Sequence, residues 1–558
     1  MRQTNKIRKG IAWLLCTVLV LGILPMLPQM SMQISAAENA ASVFVDGVEL
    51  HAGGQEYFKN GDTAVSGATG TYEDHSAYYD TAGELWLNNL EAHTIKANGN
   101  LTIYVCNNQA TNTNIVTATQ NETAIEVTGY LTIRYGGYGG GTGSLTVESD
   151  GKEAIQAGSG MTVSDGVEVK ARAKSGATAI SSGGVLKIDG IRTKLEAAGD
   201  GSTGKGIFAQ QSIYVKNSAV LTAFGGAAAY ESPSGIDKSG YGYEDYNVFT
   251  GDAAPGTQAA KDTVLDGYKY IRIEPTGVAN VKTLTELQAA AQNQYISLIN
   301  VMNDITITDT VYVRRAVTIQ SPDASNVSKL IRGKSHTDVI LDFDGANGHK
   351  SDVVTLKNII VDGNKDGNTQ TASPALKSKS ILVNLESGTV IENNHAKEGA
   401  AIYVNHYSTV TMKEGSEIRN NVSESDGTVY VIGNGGYFEM AGGTISGNTV
   451  AGNGGGIYEF GGGSARMTGG TISGNTAKGN GGGVYNVERL YGGTITGNST
   501  SGNGGGVFVP VSGACLLNSD INISGNYKDG IWSTTEQRYT TGTANNLYLS
   551  DFGSNVYV

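Results

Sequence analysis

The segment Gly442-Gly443-Thr444-Ile445-Ser446-Gly447-Asn448-Thr449 decides the fold, because it returns almost unchanged at Gly469 and Gly492. A second segment, Gly-Asn-Gly-Gly-Gly-Ile/Val-Tyr/Phe, starts at Gly452, Gly479 and Gly502. Both sets advance by 27 and then by 23 residues. Self-similarity at a nearly fixed period is the signature of a solenoid, in which each repeat forms one coil.

A looser pattern, Ile/Val-x-x-Asn, extends the same register in both directions. Its first positions are Val361, Ile391, Ile418, Ile445, Ile472, Ile495 and Ile523. The steps between them are 30, 27, 27, 27, 23 and 28 residues. Its last positions are Asn364, Asn394, Asn421, Asn448, Asn475, Asn498 and Asn526. Because Asn tolerates a left-handed turn and its amide can bond a stacked neighbour, we interpret this asparagine ladder as part of the coil turn.

The content of one repeat distinguishes a parallel β-helix from the other solenoids. Leucine-rich repeats need a leucine-dense consensus, and calcium-binding nonapeptide repeats need Asp in a nine-residue motif. These repeats have neither, and consist of short β-rich pieces separated by Gly and Asn turns. We therefore predict an all-β chain that folds as a right-handed parallel β-helix, a pectate-lyase-like solenoid.

A fainter array of the same kind occupies the first half of the chain. Ala-Ile or Gly-Ile pairs start at Ala124, Ala154, Ala179 and Gly206. Alternating strand patterns start at Leu131, Met161, Leu186 and Ile213. Both series advance by 30, 25 and 27 residues, and this agreement argues against a chance alignment. The sequence thus predicts two β-helical arrays in tandem.

The predicted boundary between the arrays lies near residue 277. The stretch Tyr270–Pro275 is typical of a closing strand that proline ends before a loop. A capping-box pattern at Thr283 and Glu286 then opens a short helix that reaches Ala291. We expect a domain at residues 38–276 and a second domain at 277–558 that begins with this capping helix.

Residues 1–37 have the pattern of a secretory signal peptide, with four basic residues before the apolar run Ile11–Leu27 and a small-residue site at Ser35–Ala37. An uncleaved membrane anchor is the alternative. Cleavage removes four positive charges, which changes the formal net charge from −13 to −17. This acidic balance argues against nucleic acid as a partner and permits Ca²⁺. We expect an extracellular or cell-surface protein whose mature chain does not insert into membranes.

Two resemblances narrow the class of protein. The GGTISGNT and GGG-[IV]-[YF] segments of residues 385–530 resemble repeats of polymorphic outer-membrane proteins and β-helical bacterial adhesins, although Ile/Val-x-x-Asn replaces the Phe-x-x-Asn of those repeats. Residues 44–275 are similar to the carbohydrate-binding β-helix family of Gram-positive surface proteins. The matching stretches are Tyr79-Asp80, Leu85–Asn89, Gly99–Ile103 and the Ala-Ile series. This resemblance implies polysaccharide binding, with Ca²⁺ as the cofactor it allows.

Enzymatic activity is the first alternative, since parallel β-helices also carry pectate lyases and polygalacturonases. The Asn-Thr-Asp, Asp-Asp and Gly-His-Gly motifs of those glycosidases do not occur here, and Arg-x-Lys occurs without them, at Arg172, Arg192 and Arg332. A glycosidase needs two placed carboxyl groups. Arg332 near Asp342 and Asp344 is the loose candidate for lyase chemistry, and a surface ion pair explains it more simply. We predict no catalytic residues.

Two candidate sites remain. Asp362, Asn364 and Asp366 match the start of a calcium loop, but Ser373 stands where its bidentate Glu should fall, and a polar turn between coils is the simpler interpretation. The aromatic residues Tyr241, Tyr243 and Tyr246 can stack on sugar faces, although a glycine-rich excursion from the coil gives the same pattern.

The sequence therefore predicts a non-catalytic surface module, adhesin-like, that binds a polysaccharide or a host or cell-wall surface. A lyase or hydrolase acting on acidic glycans and a purely structural stalk are the alternatives. Rods built from stacked coils offer long lateral surfaces, which suit extended partners better than small metabolites.

Overall fold

The structure is a computed structural model in which the described part of the chain starts at Asn39. The described residues are 39–52, 56–61, 76–106, 113–137, 143–242, 244–345, 351–368, 370–433, 435–511, 514–529, 532–533, 538–539, 542–549 and 555–557. The predicted signal peptide, residues 1–37, and Tyr243 of the tyrosine cluster lie outside these ranges.

The first half of the chain stacks its strands in three sheets. Sheet 1 contains Ser42–Val45, Val48–His51, Ile95–Ala97, Ile125–Val127, Ile155–Ala157, Ile180–Ser182, Lys205–Ala209 and Ala228–Glu231. Sheet 2 contains Glu56–Phe58, Ala77–Tyr79, Glu84–Asn88, Leu101–Cys106, Tyr130–Tyr135, Gly160–Ser164, Leu186–Asp189, Ile213–Lys216 and Ile236–Asp237. Sheet 3 begins here with Glu91–Ala92, Asn114–Gln120, Ser144–Asp150, Glu168–Lys174, Lys194–Gly199, Val220–Gly225, Glu244–Gly251, Thr257–Ala259 and Tyr270–Val281.

Sheet 3 continues through the second half, where three further sheets join it. Its strands there are Leu298–Val301, Val317–Gln320, Val353–Lys357, Leu382–Leu385, Thr409–Met412, Tyr437–Met440, Ser464–Met467, Arg489–Leu490, Ala514–Leu517 and Asn555–Tyr557. Sheet 4 contains Ile305–Ile307, Lys329–Arg332, Ile360–Asp362, Val390–Glu392, Glu417–Arg419, Thr444–Ser446, Thr471–Ser473, Gly493–Thr496 and Ile521–Ser524.

Sheets 5 and 6 complete the coils of the second half. Sheet 5 contains Val311–Val313, Leu341–Asp344, Leu376–Lys379, Ile402–Asn405, Val429–Ile432, Ile457–Phe460, Val484–Tyr485, Val507–Val509 and Leu547–Leu549. Sheet 6 contains His395–Ala396, Val422–Ser423, Thr449–Val450, Thr476–Ala477, Ser499–Thr500, Tyr527–Lys528 and Thr543–Ala544. The remaining elements are a hairpin of Trp532–Ser533 with Arg538–Tyr539, a 3₁₀ turn at Ser239–Tyr241 and the helix α1, Leu284–Gln292.

The predicted repeat register is confirmed strand by strand. In sheet 4, Val361 lies beside Ile391, and the column continues through every position of the Ile/Val-x-x-Asn pattern to Ile523. In the first half, the Ala-Ile series stacks Ile125, Ile155 and their successors in parallel in the same way. Alternate side chains of each strand point inward, and these columns form the apolar interior of an all-β solenoid. The predicted parallel β-helix is therefore confirmed.

The asparagine ladder is confirmed as a structural element, with two corrections. The Oδ1 atoms of Asn421, Asn448, Asn475, Asn498 and Asn526 each accept the backbone N–H of the ladder Asn one coil earlier, at 2.9–3.1 Å. Each of their Nδ2 groups donates to the carbonyl of an earlier column residue, as in Asn475 to Ile445 at 2.9 Å. These side chains are fully buried. The ladder is thus a continuous hydrogen-bond chain inside the protein.

The first correction concerns backbone conformation. The left-handed residue is the one before each ladder Asn, namely Asn393, Asn420, Gly447, Gly474, Gly497 or Gly525. This position explains the Gly-Asn pair of the motif, since Gly adopts positive φ without a steric penalty. The second correction concerns Asn364, which lies outside the ladder, has a positive φ and donates to the Arg332 carbonyl at 2.9 Å.

The stretch after Tyr270 differs from the prediction, because proline does not end this strand. The strand Tyr270–Val281 passes through Pro275, which lies opposite Tyr246 next to a register shift. An irregularity in pairing at this point removes the need for the missing N–H of proline. The strand then pairs in parallel with Leu298–Val301 of the second half. One sheet therefore runs through both halves.

Helix α1 confirms the predicted capping helix. Thr283 caps it, and the reciprocal bonds between Thr283 and Glu286 form the capping box. Leu287, Ala290 and Ala291 are buried against the first coil of the second half. The helix thus covers apolar strand surface where that half begins.

A buried polar network joins the two halves beside the helix. Glu244 accepts hydrogen bonds from Ser218 at 2.7 Å and from Asn293 at 3.1 Å. Burial raises the pKa of Glu244, and these hydrogen bonds oppose the shift. The inward apolar residues still form two clusters, from Ala40 to Ile273 and from Ala279 to Cys515. The division into domains at 38–276 and 277–558 stays a prediction.

Replacing a ladder asparagine should destabilise the coil. In Asn475→Ala, the buried N–H of Asn448 loses its acceptor, so we expect the free energy of unfolding to fall by about 2–3 kcal/mol. Urea denaturation followed by circular dichroism measures this. Ser473→Ala, on the outer face of the same coil, is the matched control and should change stability by about 0.5 kcal/mol or less. Equal changes in the free energy of unfolding for the two substitutions would show that the ladder does not stabilise the coil.

A buried carboxyl group should make stability depend on pH. Glu459 lies at an inward position of sheet 5, beside Val431, and accepts the Ala465 N–H at 2.8 Å. Burial raises its pKa from 4.5 to about 8. The folded state then holds this proton while the unfolded chain has lost it, so stability should fall as the pH rises from about 5 to about 8. Urea denaturation across this pH window should show a weaker decline in Glu459→Gln, and parallel curves would refute the assignment.

Candidate functional site

The outer face of sheet 5 carries a column of stacked aromatic rings. Register places one outward side chain of each coil beside the next, and the rings are Tyr403, Tyr430, Tyr458, Tyr485, Phe508 and Tyr548. Their centroids are 4.9–5.6 Å apart. This spacing is close to the strand separation of about 4.8 Å, because each ring is held by its own strand.

The glycine run of each repeat makes room for this column. Gly454 has a positive φ, and a Cβ there would lie 2.8 Å from the Cβ of Tyr458. The next residues of the run, Gly455 and Gly456, face the neighbouring coil just as closely. The Gly-Asn-Gly-Gly-Gly-Ile/Val-Tyr/Phe motif therefore couples a tight turn to the aromatic ring that follows it.

A polar row borders the column on the turn side. Asn453 donates its N–H to Asp426, and Asn480 and Asn503 each donate to the preceding Asn of the row, at 2.6–2.8 Å. Burial raises the pKa of Tyr430 to about 12, with Glu398 adding to the shift. The phenols therefore stay protonated at neutral pH and remain hydrogen-bond donors.

The column ends at Tyr403, whose neighbour in the preceding coil is Lys377. A pocket of about 320 Å³ opens at this step. Its lining residues are Val339, Ala372, Ser373, Pro374, Lys377, Lys397, Glu398, Tyr403 and Asn405. We call it the Tyr403 pocket. Burial raises the pKa of Tyr403, and Glu398 adds to the shift. One aromatic ring, two ammonium groups, one carboxylate and one amide thus share a concave surface, the combination that orients a polar ring-shaped ligand.

A second pocket lies on the same outer face, nearer to helix α1. Its volume is about 460 Å³, and its lining residues are Ala291, Gln292, Gln294, Tyr312, Arg314 and Arg315. Tyr312 is 42% exposed, and the guanidinium of Arg314 lies 5.5 Å from its ring centroid. We call it the Tyr312 pocket.

The predicted tyrosine cluster is only partly on the surface. Tyr241 is buried, stacks on Tyr246 at 4.8 Å and donates its hydroxyl to the Ala219 carbonyl. Tyr246 is half-buried, with the Lys261 ammonium 5.4 Å from its ring centroid. These contacts give Tyr241 a packing role, and sugar stacking by the cluster stays a prediction.

The predicted calcium residues form a polar turn. Asp362 accepts the Asn364 N–H at 2.9 Å and lies 3.5 Å from the Lys329 ammonium, while Asp366 is exposed. Among the described residues, no three His, Cys, Asp or Glu side chains are grouped to hold a metal ion. Calcium binding at Asp362, Asn364 and Asp366 stays a prediction, and it requires displacement of Lys329.

Arg332, the loose lyase candidate, lies inside the coil, and its interpretation as part of a surface ion pair is therefore wrong. It is 1% exposed, and its Nε donates to Asn394 Oδ1 at 3.1 Å, so it occupies the position at the start of the ladder that was predicted for Asn364. Its other nitrogens donate to the carbonyls of His336, Asp338, Ser373 and Pro374. Asp342 points outward on sheet 5. Arg332 therefore caps the amide ladder with a positive charge.

The residues that line the Tyr403 pocket were not predicted from the sequence. The Tyr or Phe of the GGG-[IV]-[YF] segment is visible there, but Tyr403 follows Gly399-Ala400-Ala401 and matches it only loosely. The pairing of Tyr403 with both Tyr430 and Lys377 is what reveals the end of the column. A periodic search for outward aromatic residues could have found it.

Comparison with known proteins gives one match. A family model described as "Putative pectate lyase-like adhesive domain" matches residues 278–400, which include Lys377, Lys397 and Glu398. No curated protein and no solved structure matches the chain significantly. In the described part of the chain, no helix is long and apolar enough to cross a membrane. The match and a solenoid of about 15 turns are consistent with a parallel β-helix surface protein of adhesin-like character.

Replacing Arg332, which caps the asparagine ladder, should destabilise the protein. Arg332→Met leaves Asn394 and several carbonyls without their buried donor, so the free energy of unfolding should fall by about 2–4 kcal/mol. Urea denaturation followed by circular dichroism measures the change in the free energy of unfolding. Lys329→Met on the same strand removes two ion pairs, with Asp362 and with the buried Glu392, and should cost less, about 1–2 kcal/mol, because Arg419 still pairs with Glu392. A mild effect of Arg332→Met would show that the carbonyls find other donors.

Proposed function

We propose that this chain is a non-catalytic, adhesin-like surface module that binds a polysaccharide at the Tyr403 pocket. The observation that carries the proposal is the open end of the aromatic column. The inner rings are sandwiched between neighbours, so Tyr430 and Tyr458 are each only 7% exposed. At the other side of Tyr403 the next outward residue is Lys377, and a pocket takes the place of another ring.

A sugar ring fits this position by chemistry. One face of a pyranose is apolar and packs on an aromatic ring, while its hydroxyls need polar partners. Glu398 and Asn405 supply acceptors, and Lys377, Lys397 and Asn405 supply donors. The stacked column behind Tyr403 fixes the orientation of the platform, so little conformational entropy is lost on binding.

The lining favours binding over hydrolysis. Among the described residues around the Tyr403 pocket, Glu398 is the only carboxylate, whereas a glycosidase uses two carboxyl groups across the scissile bond. Export by the N-terminal segment of residues 1–37 is part of the proposal, because polysaccharides and host surfaces lie outside the cell.

Loss of the platform should weaken glycan binding. We expect Tyr403→Ala in the full mature chain to lower affinity about tenfold for the best ligand of a glycan array, which corresponds to about 1.4 kcal/mol of stacking energy. Isothermal titration calorimetry measures the change. Tyr407→Ala is the matched control, since Tyr407 lies on the same coil, is 62% exposed and does not line the pocket.

Three outcomes would overturn the proposal. An array without any ligand would favour a structural stalk, and equal losses in Tyr403→Ala and Tyr407→Ala would place the site elsewhere. Release of reducing ends or of unsaturated uronates, sensitive to a chelator, would make the protein an enzyme.

A further inference from the structure

The two pockets on sheet 5 belong to one outward column. The strand register places Tyr312 beside Asp342, Asp342 beside Lys377, and Lys377 beside Tyr403. Three strand steps separate the two tyrosines, a distance of about 14 Å at the usual spacing. Both pockets therefore open on the same lateral face, and a polymer that leaves one can enter the other without turning.

Positive charge is concentrated along this face of an otherwise acidic protein. The chain carries a formal net charge of −13. Arg314 and Lys377 flank Asp342, whose burial raises its pKa and whose carboxylate both cations favour. Lys379 lies 3.5 Å from Asp344, and Lys397 is exposed at the rim of the Tyr403 pocket. The face thus combines four cations, Arg314, Lys377, Lys379 and Lys397, with the three carboxylates of Asp342, Asp344 and Glu398.

The two arginines at the Tyr312 pocket differ in their contacts and in their exposure to solvent. Arg315 donates to the carbonyls of Ala290, Ala291 and Ile296, so its guanidinium is committed to the end of helix α1. Arg314 is exposed over the Tyr312 ring. An exposed guanidinium above an aromatic face offers a planar pair of donors to a carboxylate or sulfate group.

We infer that the Tyr312 and Tyr403 pockets are two subsites for a single anionic polysaccharide, which lies across the coils along the outer face of sheet 5. The inference rests on the proposed function and specifies its ligand class. Tyr403 and Tyr312 stack the sugars at the two ends, Lys377 and Arg314 bind the anionic groups, and Asp342 accepts sugar hydroxyls between them. The two short subsites act as one because the ligand chain links them, which raises affinity without new contacts.

The test compares chain length and charge on the full mature protein. The probes are polygalacturonate, hyaluronan and heparin oligosaccharides as disaccharide, tetrasaccharide and octasaccharide, with chitin oligosaccharides as the neutral series. We expect at least one anionic series to bind more tightly than chitin, with affinity rising at least tenfold from disaccharide to octasaccharide. Raising the salt concentration should weaken that binding, since exposed charges are screened.

Variants separate the two subsites. Tyr312→Ala should reduce octasaccharide affinity to about that of the short ligands. Tyr403→Ala should weaken the binding of octasaccharide and of disaccharide, and Arg314→Gln should reduce the salt dependence. Tyr407→Ala is the control for loss of an exposed ring.

The possible failures are distinct. Equal affinity for disaccharide and octasaccharide, or no effect of Tyr312→Ala, would overturn the two-subsite inference while leaving the Tyr403 pocket a binding site. Tighter binding of chitin than of every anionic series would overturn the ligand class. Absence of binding by every glycan, anionic or neutral, would instead remove the proposed function itself.

Discussion

The spacing between stacked strands is the constraint on which this structure depends. Each coil repeats the chain direction of the last, so equivalent residues come to lie about 4.8 Å apart in columns. Inside, the columns are aliphatic, as in the series from Val361 to Ile495. At one turn they are buried amides, and on the face of sheet 5 they are aromatic rings. A single geometric repeat therefore builds the core, the turn and the surface.

The amide ladder shows why such a repeat tolerates change in length. The coil from Ile472 to Ile495 is four residues shorter than the coil before it, yet Asn475 and Asn498 still bond at 3.0 Å. The four residues are lost from two strands, because Ile457–Phe460 and Ser464–Met467 are followed in the next coil by the two-residue strands Val484–Tyr485 and Arg489–Leu490. The ladder positions keep their register. At the start of the ladder, Arg332 supplies the donor that a further Asn would have supplied.

The end of the aromatic column differs from its interior in the surface that it offers to a ligand. A ring inside the aromatic column offers only its edge, because its neighbours cover both of its faces. Where the column stops, at Tyr403, a face and a pocket become available together. The same logic makes the first coils of the second half, which match the adhesive-domain family model, more informative about function than the regular coils that follow them.

The β-helix, its register and helix α1 could be predicted from the amino-acid sequence. The Ile/Val-x-x-Asn and Gly-Asn-Gly-Gly-Gly repeats show which residues stack, because equivalent residues recur at a nearly constant spacing. The Thr283 capping box predicts the helix, because its hydrogen bonds form within one turn of the chain. The tertiary structure alone decided which residues meet across coils where the motif fades. It buried Tyr241 and Arg332, carried the strand through Pro275, and set Tyr403 against Lys377. The physical reason is that the period of a repeat can be measured along the sequence. The neighbour of the last residue in a column lies about one coil away in sequence, and only the register of the folded strands brings the two into contact.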